Sequence, residues 1–267
     1  MKMILPNGVC LTYRFDTAGH PVGRTRTDPC GRNDTVRYFY DAAGRPIREK
    51  RNGLTVNETA YDAAGRRCSP DSGQTAAACR LSCRPVRTGE GVMLAVETGG
   101  TPLLFSRDGE HLLREKEGPL LRTYRIAGTR VLSVRLSDCN EAYPFHFALT
   151  PVYRKEKATA LLLRRYDIRC DRVVWPTALY RLVRDPLGDV VALTDARRHV
   201  VAEYDYDLFG RCRLLYDDSP DTVGHLNPFR FRGYRYHHPT GLYCCRGFCY
   251  DPETGAVFPD PVLSFRP

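Results

Sequence analysis

Cysteine and histidine side chains are the residues of this chain that could bind a metal ion or react as nucleophiles. The sequence contains 11 cysteines, an odd number with irregular spacing. Two groups share close spacing: Cys79 with Cys83, and Cys244, Cys245 and Cys249 beside His237 and His238. Neither group has the Cys-x2-Cys spacing of a zinc site, and adjacent strand residues point to opposite faces. We therefore predict no metal and no cofactor, and expect reduced, partly buried thiols.

The sequence contains none of the motifs that identify common enzyme classes. It has no Gly-x-Gly-x-x-Gly run before a helix, no phosphate-binding loop and no His-Glu-x-x-His. Ser69, Ser82 and Ser106 lack the context of a nucleophile elbow. These observations favour a protein that is not an enzyme.

A row of tyrosine and arginine side chains in the last third of the chain could bind a ligand. Its members are Arg230, Arg232, Tyr234, Arg235 and Tyr236. Exposed aromatic rings can stack on sugars, and guanidinium groups can pair with anions, for example on a cell-surface glycan. The same residues could instead form structural ladders between strands. A polyanion- or carbohydrate-binding surface is therefore an alternative function.

One turn pattern recurs along the chain and must position these side chains. Tyr40-Asp-Ala-Ala-Gly-Arg45 is repeated identically from Tyr61 to Arg66, 21 residues later. Looser copies occur at 15–20, 107–109, 185–188 and 206–211. In this pattern the tyrosine ends a strand, and the aspartate begins the turn by accepting a bond from the backbone two residues on. The glycine then supplies the positive φ that closes the turn.

The segments between the turns alternate as strands do. Apolar or aromatic residues occupy every second position in 35–40, 190–194, 200–206 and 230–236. Residues 158–165 fit either a short helix or a buried strand. We therefore predict an all-β fold of repetitive antiparallel β-hairpins.

Composition limits the partners and the location of the protein. The net charge is +9, but the basic residues are spread over the turn motifs, which favours a solvated sheet face over a specific nucleic-acid partner. A hydrophobic content of 42% is enough for a core. No apolar run reaches the length of a membrane span, and residues 1–8 are too short for a signal peptide. We expect cytoplasmic synthesis, with any export through a dedicated secretion system.

These motifs resemble those of a known family. The Tyr-Asp-x-x-Gly-Arg copies resemble the YD repeat of the RHS (rearrangement hotspot) proteins. The order of the motifs at 184–195, 204–211, 227–236 and 250–255 resembles the RHS repeat-associated core domain. On this basis we divide the chain into YD-repeat hairpins (1–67), degenerate YD-like β repeats (68–180) and an RHS repeat-associated core domain (181–267).

The resemblance implies a large β-sheet that spirals into a hollow shell around a C-terminal polypeptide, often a toxin. In the family the core domain closes one end of the shell, and in many members it frees the toxin by aspartate-dependent self-cleavage. On this sequence the resemblance assigns that role to Asp251 and Asp260. Two carboxylates held close together can share a proton and act as acid and base.

The sequence also departs from the family pattern. His237 and His238 stand where an acidic residue is usual, no glycine follows Pro261, and the chain stops at Pro267. We expect an incomplete shell, a curled and partly open sheet whose edges could pair with a second RHS/YD-repeat chain or a toxin or immunity polypeptide. The leading prediction is a non-enzymatic shell module of a toxin-delivery protein that lacks a C-terminal toxin. A residual self-cleaving core domain is a further alternative.

Overall fold

Strands account for most of the part of the chain that the structure describes. The computed structural model describes residues 1–68, 70, 82–88, 91–97, 103–108, 112–117, 120–127, 130–138, 145–167, 173, 176–220 and 222–260. The strands are β1 (Lys2–Ile4), β2 (Cys10–Phe15), β3 (Pro21–Thr27), β4 (Asn33–Tyr40), β5 (Pro46–Arg51), β6 (Leu54–Glu58), β7 (Ala60–Tyr61), β8 (Arg67–Cys68), β9 (Ser82–Thr88), β10 (Gly91–Glu97), β11 (Leu103–Asp108), β12 (Leu112–Glu117), β13 (Leu120–Ala127), β14 (Arg130–Asp138), β15 (Phe145–Arg154), β16 (Lys157–Asp167), β17 (Ala178–Arg184), β18 (Val190–Thr194), β19 (Val200–Tyr206), β20 (Cys212–Asp217), β21 (Arg235–His237), β22 (Leu242–Cys245), β23 (Phe248–Tyr250) and β24 (Val257–Pro259). One short helix, α1 (Val223–Leu226), and a 3-10 turn (Phe231–Gly233) interrupt them. The prediction of an all-β fold is confirmed.

Within each sheet, every strand pairs antiparallel with its neighbours in the chain. Strands β1 to β6 form an N-terminal sheet, β9 to β20 form a twelve-stranded long sheet, and β21 to β24 form a C-terminal sheet. Strands β7 and β8 form a separate hairpin. Because strand order follows chain order throughout, every sheet is built from consecutive hairpins, as the repeated turns predict.

The recurring turn has the same hydrogen bonds in seven places within the described residues. In each, the aspartate carboxylate accepts from the backbone N–H four residues on, and its own N–H bonds to that residue's carbonyl. The aspartates are Asp16, Asp28, Asp41, Asp62, Asp185, Asp195 and Asp207. In the repeat itself, Arg45 Nε also bonds to Asp41 Oδ2 at 2.7 Å. The position before the last residue has positive φ in every copy and is glycine except at Arg198, where φ is 69°.

The tyrosine of the motif connects one hairpin to the previous one. The hydroxyl of Tyr40 donates to Pro21 O at 2.7 Å, and that of Tyr61 donates to Pro46 O at 2.8 Å. Tyr206 makes the equivalent bond to Val190 O at 2.6 Å. In all three cases the acceptor lies five residues after the aspartate of an earlier turn. In each Tyr-Asp pair, the aspartate therefore stabilises the turn that it begins, and the tyrosine attaches that turn to the strand that follows an earlier turn.

The C-terminal segment (residues 222–260) packs on one face of the long sheet. Val223 and Phe229 belong to a buried cluster with apolar side chains of β15 to β19. That cluster contains Leu149, Ala158, Leu161, Leu163, Tyr180, Leu182, Val190, Leu193, Ala202, Tyr204 and Tyr206. At the other end of the long sheet, Val96, Phe105 and Leu113 line a small cavity together with Leu242 of the C-terminal sheet. We call this the inner face of the long sheet.

The contacts of the C-terminal segment require the long sheet to curl. Asn227 Nδ2 donates to the hydroxyl of Tyr204 on β19 at 3.2 Å, while His237 Nε2 lies 2.8 Å from Glu115 Oε2 on β12. Tyr236 N bonds to Pro228 O, so these two parts of the segment are neighbours. In a flat sheet β12 and β19 would be roughly 34 Å apart, at about 4.8 Å per strand. The inner face therefore bends around the segment, in agreement with the predicted curled, partly open sheet.

The N-terminal sheet covers the opposite face of the long sheet near β17 to β19. Leu11 and Tyr13 pack against Val191 and Ala192 in a second apolar cluster. Beside this cluster, carboxylates of β19 pair with arginines of the N-terminal sheet. Strand β19 is therefore buried on both faces, by apolar contacts on the inner face and by ion pairs on the other.

Two local predictions are resolved by the structure. Residues 158–165, for which helix and strand both remained open, lie within β16. The continuous strand expected at 230–236 is wrong, because the chain makes a 3-10 turn there before β21 begins at Arg235. Arg232 and Gly233 both have positive φ, 54° and 71°, which no strand can accommodate.

Candidate functional site

The two aspartates assigned to self-cleavage lie at opposite ends of the hairpin formed by β23 and β24. Asp251 N bonds to Ala256 O at one end, and Asp260 N bonds to Gly247 O at the other. Four residues of strand separate the two ends, roughly 13 Å at about 3.3 Å per residue. Both side chains are buried, but at that distance they cannot share a proton. Their catalytic role stays a prediction that this geometry does not favour.

Each aspartate has a local partner. The Asp251 carboxylate accepts from Glu253 N at 2.9 Å and so stabilises the turn between β23 and β24. Asp260 Oδ2 lies 3.4 Å from Arg235 Nη2 and forms a buried ion pair with it. Asp260 also lines a cavity of about 30 Å³ together with His237 and Glu115. Glu115, which lies on β12 and is far away in sequence, therefore lines the same cavity as Asp260.

The tyrosine and arginine row does not form one surface. Arg230 is buried and donates to the carbonyls of Gly224 and His225 at 3.2 Å, and its guanidinium lies 4.8 Å from the ring centre of Tyr236. Arg232 and Tyr234 are exposed, whereas Arg235 and Tyr236 are half-buried. The 3-10 turn separates these side chains. A binding role for the row remains a prediction, but Arg230 serves the packing of the C-terminal segment.

Glu115, Tyr124 and His237 form a buried polar cluster where the C-terminal sheet meets the inner face. Alternation along β12 points Leu113 and Glu115 inward and leaves Arg114 and Lys116 exposed. Glu115 Oε2 accepts from the Tyr124 hydroxyl at 2.8 Å and lies 2.8 Å from His237 Nε2. The other ring nitrogen of His237 lies 2.7 Å from Thr240 Oγ1. A carboxylate, an imidazole and a hydroxyl are thus connected in one chain of hydrogen bonds.

The electrostatics of the cluster keep Glu115 ionised. Burial opposes its charge, but His237, the nearby Arg122 and the Tyr124 hydroxyl together lower the pKa of Glu115 to about 2. Arg122 Nη1 lies 2.6 Å from Glu115 Oε1. Burial also raises the pKa of the Tyr124 hydroxyl, which therefore remains a donor. The cluster connects the long sheet to the C-terminal segment through charge-assisted bonds, which are the strong class of hydrogen bond.

Two cavities adjoin this cluster. The small cavity of about 30 Å³ has room for an ordered water, and its polar lining includes Glu115, His237 and Asp260. A larger cavity of about 410 Å³ shares Tyr124, Arg235 and His237 with it. Apolar side chains form most of the larger cavity: Leu120, Val134, Leu136, Phe147, Leu149, Leu226, Pro228 and Pro239. The curled sheet therefore leaves space between its inner face and the C-terminal segment.

Cys244 and Cys249 face each other on β22 and β23 and form a disulfide. The expectation of reduced thiols is wrong for this pair, because the register of the hairpin places the two side chains on the same face. Cys245 points to the other face and is a free thiol, as the strand alternation predicts. Cys79 lies outside the described residues. The two sulfur atoms and a carboxylate oxygen of Asp260 lie within 4.8 Å of one another, which is compatible with a metal ion only when the disulfide is reduced.

Sequence reasoning missed Glu115 because nothing in its surroundings marks it. It lies in Leu112-Leu-Arg-Glu-Lys-Glu117, where four consecutive charged residues read as a solvated surface. Its partner His237 is 122 residues away. The signal that could have identified it is the alternation of β12, which puts one of these charges on the apolar face.

Within the described ranges, no helix combines the length and the apolar character required to cross a membrane. The expectations about synthesis and export stay predictions.

Comparisons with known proteins place the fold. No family model matches the chain. The structure of TcdB2-TccC3 without its hypervariable C-terminal region superposes with a TM-score of 0.58 at 14% identity, covering 94% of this chain and 14% of that one. The Photorhabdus luminescens Tc holotoxin pore with the TccC3-D651A mutation gives 0.53 at 12% identity, covering 100% and 17%. The fold is of the RHS type. At these identities the likeness concerns the fold alone.

Curated relatives match a short part of this chain. The tRNA(Glu)-specific nuclease WapA of Bacillus subtilis subsp. natto is 36% identical over 77 residues, which is 28% of this chain and 3% of the relative. The tRNA nuclease WapA of Bacillus subtilis strain 168 is 35% identical over the same length. This chain therefore corresponds to a small fraction of the length of the curated relatives it matches.

Proposed function

We propose that this chain is a structural module of an RHS-type shell in a toxin-delivery protein, in which the C-terminal segment closes one end of the curled sheet. The observation that carries the proposal is the position of residues 222–260. They contact β12 and β19 at the same time and so bridge distant strands across the inner face. A segment held in this way fixes the curvature of the sheet.

The hydrogen bonds of the segment support a closing role over a catalytic one. Asn227 is fully buried and bonds to Phe229 O at 2.7 Å, and Arg230 is bonded to backbone carbonyls. Tyr243 and Tyr250 donate to Gly210 O and Phe209 O, both at 2.7 Å. These side chains are used to attach the segment to the sheet. The described part of the chain does not place the two predicted catalytic aspartates together.

The proteins with a similar fold support the delivery context. One similar structure is TcdB2-TccC3 without its hypervariable C-terminal region, and another is a Tc holotoxin pore that carries a mutation in TccC3. WapA is a tRNA nuclease. By analogy, the partner of this chain would be another polypeptide: a second RHS-type chain, or a toxin attached or bound to the inner face.

Protection of an attached polypeptide tests the proposal. If the curled sheet encloses the polypeptide that follows its C-terminal segment, a polypeptide added after Pro267 is shielded from proteases. A disordered segment with one protease site would be fused there, and the same segment would be fused before Met1 as the matched control. Cleavage of the C-terminal fusion should be slower by about tenfold or more, since an enclosed site is cut only after local opening.

Equal cleavage rates for the two fusions would contradict the enclosing role. The same samples can be mixed with a candidate partner chain from the same gene cluster. Because the sheet has open edges, a genuine partner is expected to increase the protection of the C-terminal site and leave the N-terminal site unchanged.

A further inference from the structure

A cleft of about 440 Å³ lies between the hairpin β7–β8, the turn that begins at Asp207, and the C-terminal sheet. Its lining combines rings and basic groups: Tyr61, Phe209 and Tyr250 with Arg66 and Arg67. It is separate from the polar cluster at Glu115 and from the row Arg230–Tyr236. Its volume is in the range typical of small-molecule sites.

Arg67 is the unusual member of the cleft because its charge is buried without a carboxylate. The residue is 8% exposed, and it forms no ion pair within the described part of the chain. Nη2 donates to Pro252 O at 2.7 Å, and the guanidinium lies 4.3 Å from the ring centre of Phe209. Nε is fully buried and has no acceptor. A buried cation in this state is costly unless an anion compensates it.

The backbone around the cleft is built to admit the guanidinium. Gly255 has φ +76°, and a Cβ on it would lie 2.5 Å from Arg67 Nε. Any other residue at position 255 would therefore displace Arg67. Because Gly255 has no side chain, the guanidinium of Arg67 has room beside the backbone at this edge of the cleft.

The remaining lining is suited to a ring. The hydroxyls of Tyr61 and Tyr250 already donate to Pro46 O and Phe209 O, so these residues offer their rings rather than their polar ends. Leu208 and Val257 add apolar surface. Arg66 pairs with Asp62 at 2.8 Å and is largely exposed, so the charge of Arg67 dominates the buried part.

We propose that this cleft binds a small organic carboxylate that contains a ring, with the carboxylate compensating Arg67 and accepting from its Nη1 group. Nη1 has no acceptor in the described ranges of the chain, and arginine binds carboxylates through strong charge-assisted bonds. The ring packs against Tyr61 and Tyr250. The ring can be aromatic or that of a sugar acid, since both can stack on a tyrosine ring and both acids carry one negative charge.

Titration with matched acids and neutral analogues tests the site. Benzoate and glucuronate would each be compared with benzyl alcohol and glucose, by calorimetry and by amide shifts of Gly65 and Gly255. At least one acid is expected to bind and to shift these amides, and its neutral analogue to bind roughly tenfold more weakly or not at all. Which acid binds identifies the ring. Equal binding of acid and neutral analogue, or no binding by either acid at about 10 mM, would overturn the proposal.

Variants separate the site from the fold. Arg67→Gln should weaken acid binding roughly tenfold, whereas Arg32→Gln, in the Asp28 turn and outside the lining of the cleft, should leave it unchanged. If Arg67→Gln does not fold, Val257→Glu provides the test, because Val257 is 67% exposed and its replacement places a carboxylate at the cleft. Val257→Glu should abolish acid binding, and Val257→Gln should retain it. Unchanged binding in a folded Arg67→Gln or in Val257→Glu would contradict the assignment.

Discussion

Glu115 connects the titration of one residue to the stability of the fold. Its pKa is lowered to about 2, against an ordinary value of 4.5, so its ionised form stabilises the native state fully above about pH 4.5. That contribution is lost as the pH falls from about 4.5 to about 2. We expect Glu115→Gln to lower the free energy of unfolding at pH 7 by about 3 kcal/mol or less, and to flatten this part of the pH profile.

Chemical denaturation at a series of pH values would measure the effect. Glu58→Gln is the matched control, because Glu58 pairs with Arg48 but is 41% exposed, and its profile should follow the unchanged protein. If the free energy of unfolding of Glu115→Gln falls between about pH 4.5 and pH 2 as steeply as that of the unchanged protein, the buried cluster does not stabilise the contact between the long sheet and the C-terminal segment.

The closing residue of the recurring turn offers a second test at this scale. Gly44 has φ 74°, so Gly44→Ala should destabilise the protein by about 1 kcal/mol. Arg198 occupies the same position of its turn with φ 69°, so Arg198→Gly should be neutral or stabilising by up to about 1 kcal/mol. Thermal unfolding of both variants checks the opposite signs. Destabilisation by both changes would mean that the turn is not the source of the effect.

At the scale of elements, ion pairs attach the N-terminal sheet to β19. Asp205 is buried and pairs with Arg24, with Arg51 at 2.5 Å and with Arg213 at 3.0 Å. Burial opposes ionisation of Asp205, but the arginines outweigh it and lower its pKa. Removing this carboxylate takes away the direct ion-pair partner of the buried Arg24. We expect Asp205→Asn to destabilise the protein by about 3–5 kcal/mol.

The control for this prediction lies in the same network. Asp34 pairs with Arg51 at 2.7 Å but is 31% exposed, so Asp34→Asn should cost less than about 1 kcal/mol. Urea unfolding of the two variants would be compared. A small effect of Asp205→Asn would indicate that the apolar contacts of Leu11 and Tyr13 alone hold the two sheets together.

The elements divide into those that the sequence predicts and those that it does not. The turns at Asp41 and Asp62 follow from local chemistry, because an aspartate and a glycine three residues on specify the bonds within five residues. The sequence pattern does not predict the same turn at Asp28, because Pro29 and Cys30 differ from the residues of the repeat. It does not predict the turn at Asp195 either, because Arg198 replaces the glycine. The prediction of a strand at 230–236 is wrong because the alternation of Arg and Tyr does not reveal the positive φ of Arg232 and Gly233.

The candidate site could be predicted only in part. The importance of the stretch around His237 follows from its motifs, and the structure places that residue in the buried cluster. Glu115 could not be found, because its role depends on the curl of a sheet between residues 122 positions apart. Contacts of this kind are set by tertiary packing, which a local pattern does not encode. The same reason explains why Arg67 and Pro252 meet without any signal in their own segments.

For the whole molecule, the enclosed position of residues 222–260 predicts how the protein opens. Amides of β22 and β23 should exchange with solvent only when the long sheet opens, because the C-terminal sheet is covered by Val96, Phe105 and Leu113. Native-state hydrogen exchange should give similar opening free energies for Cys244 and for Leu161 of β16. Much faster exchange in the C-terminal sheet would show that it can detach by itself.

The packing of the C-terminal segment on the inner face also has a consequence for synthesis on the ribosome. Val223 and Phe229 are translated after the strands whose apolar face they cover, so Leu149, Leu161 and Leu163 have no packing partners from this segment until it has been synthesised. Pairing between consecutive strands can begin early, whereas closure must wait for contacts of high sequence separation. Incomplete nascent chains therefore expose the apolar inner face of the long sheet. Efficient production of this protein should depend on chaperones that bind such intermediates.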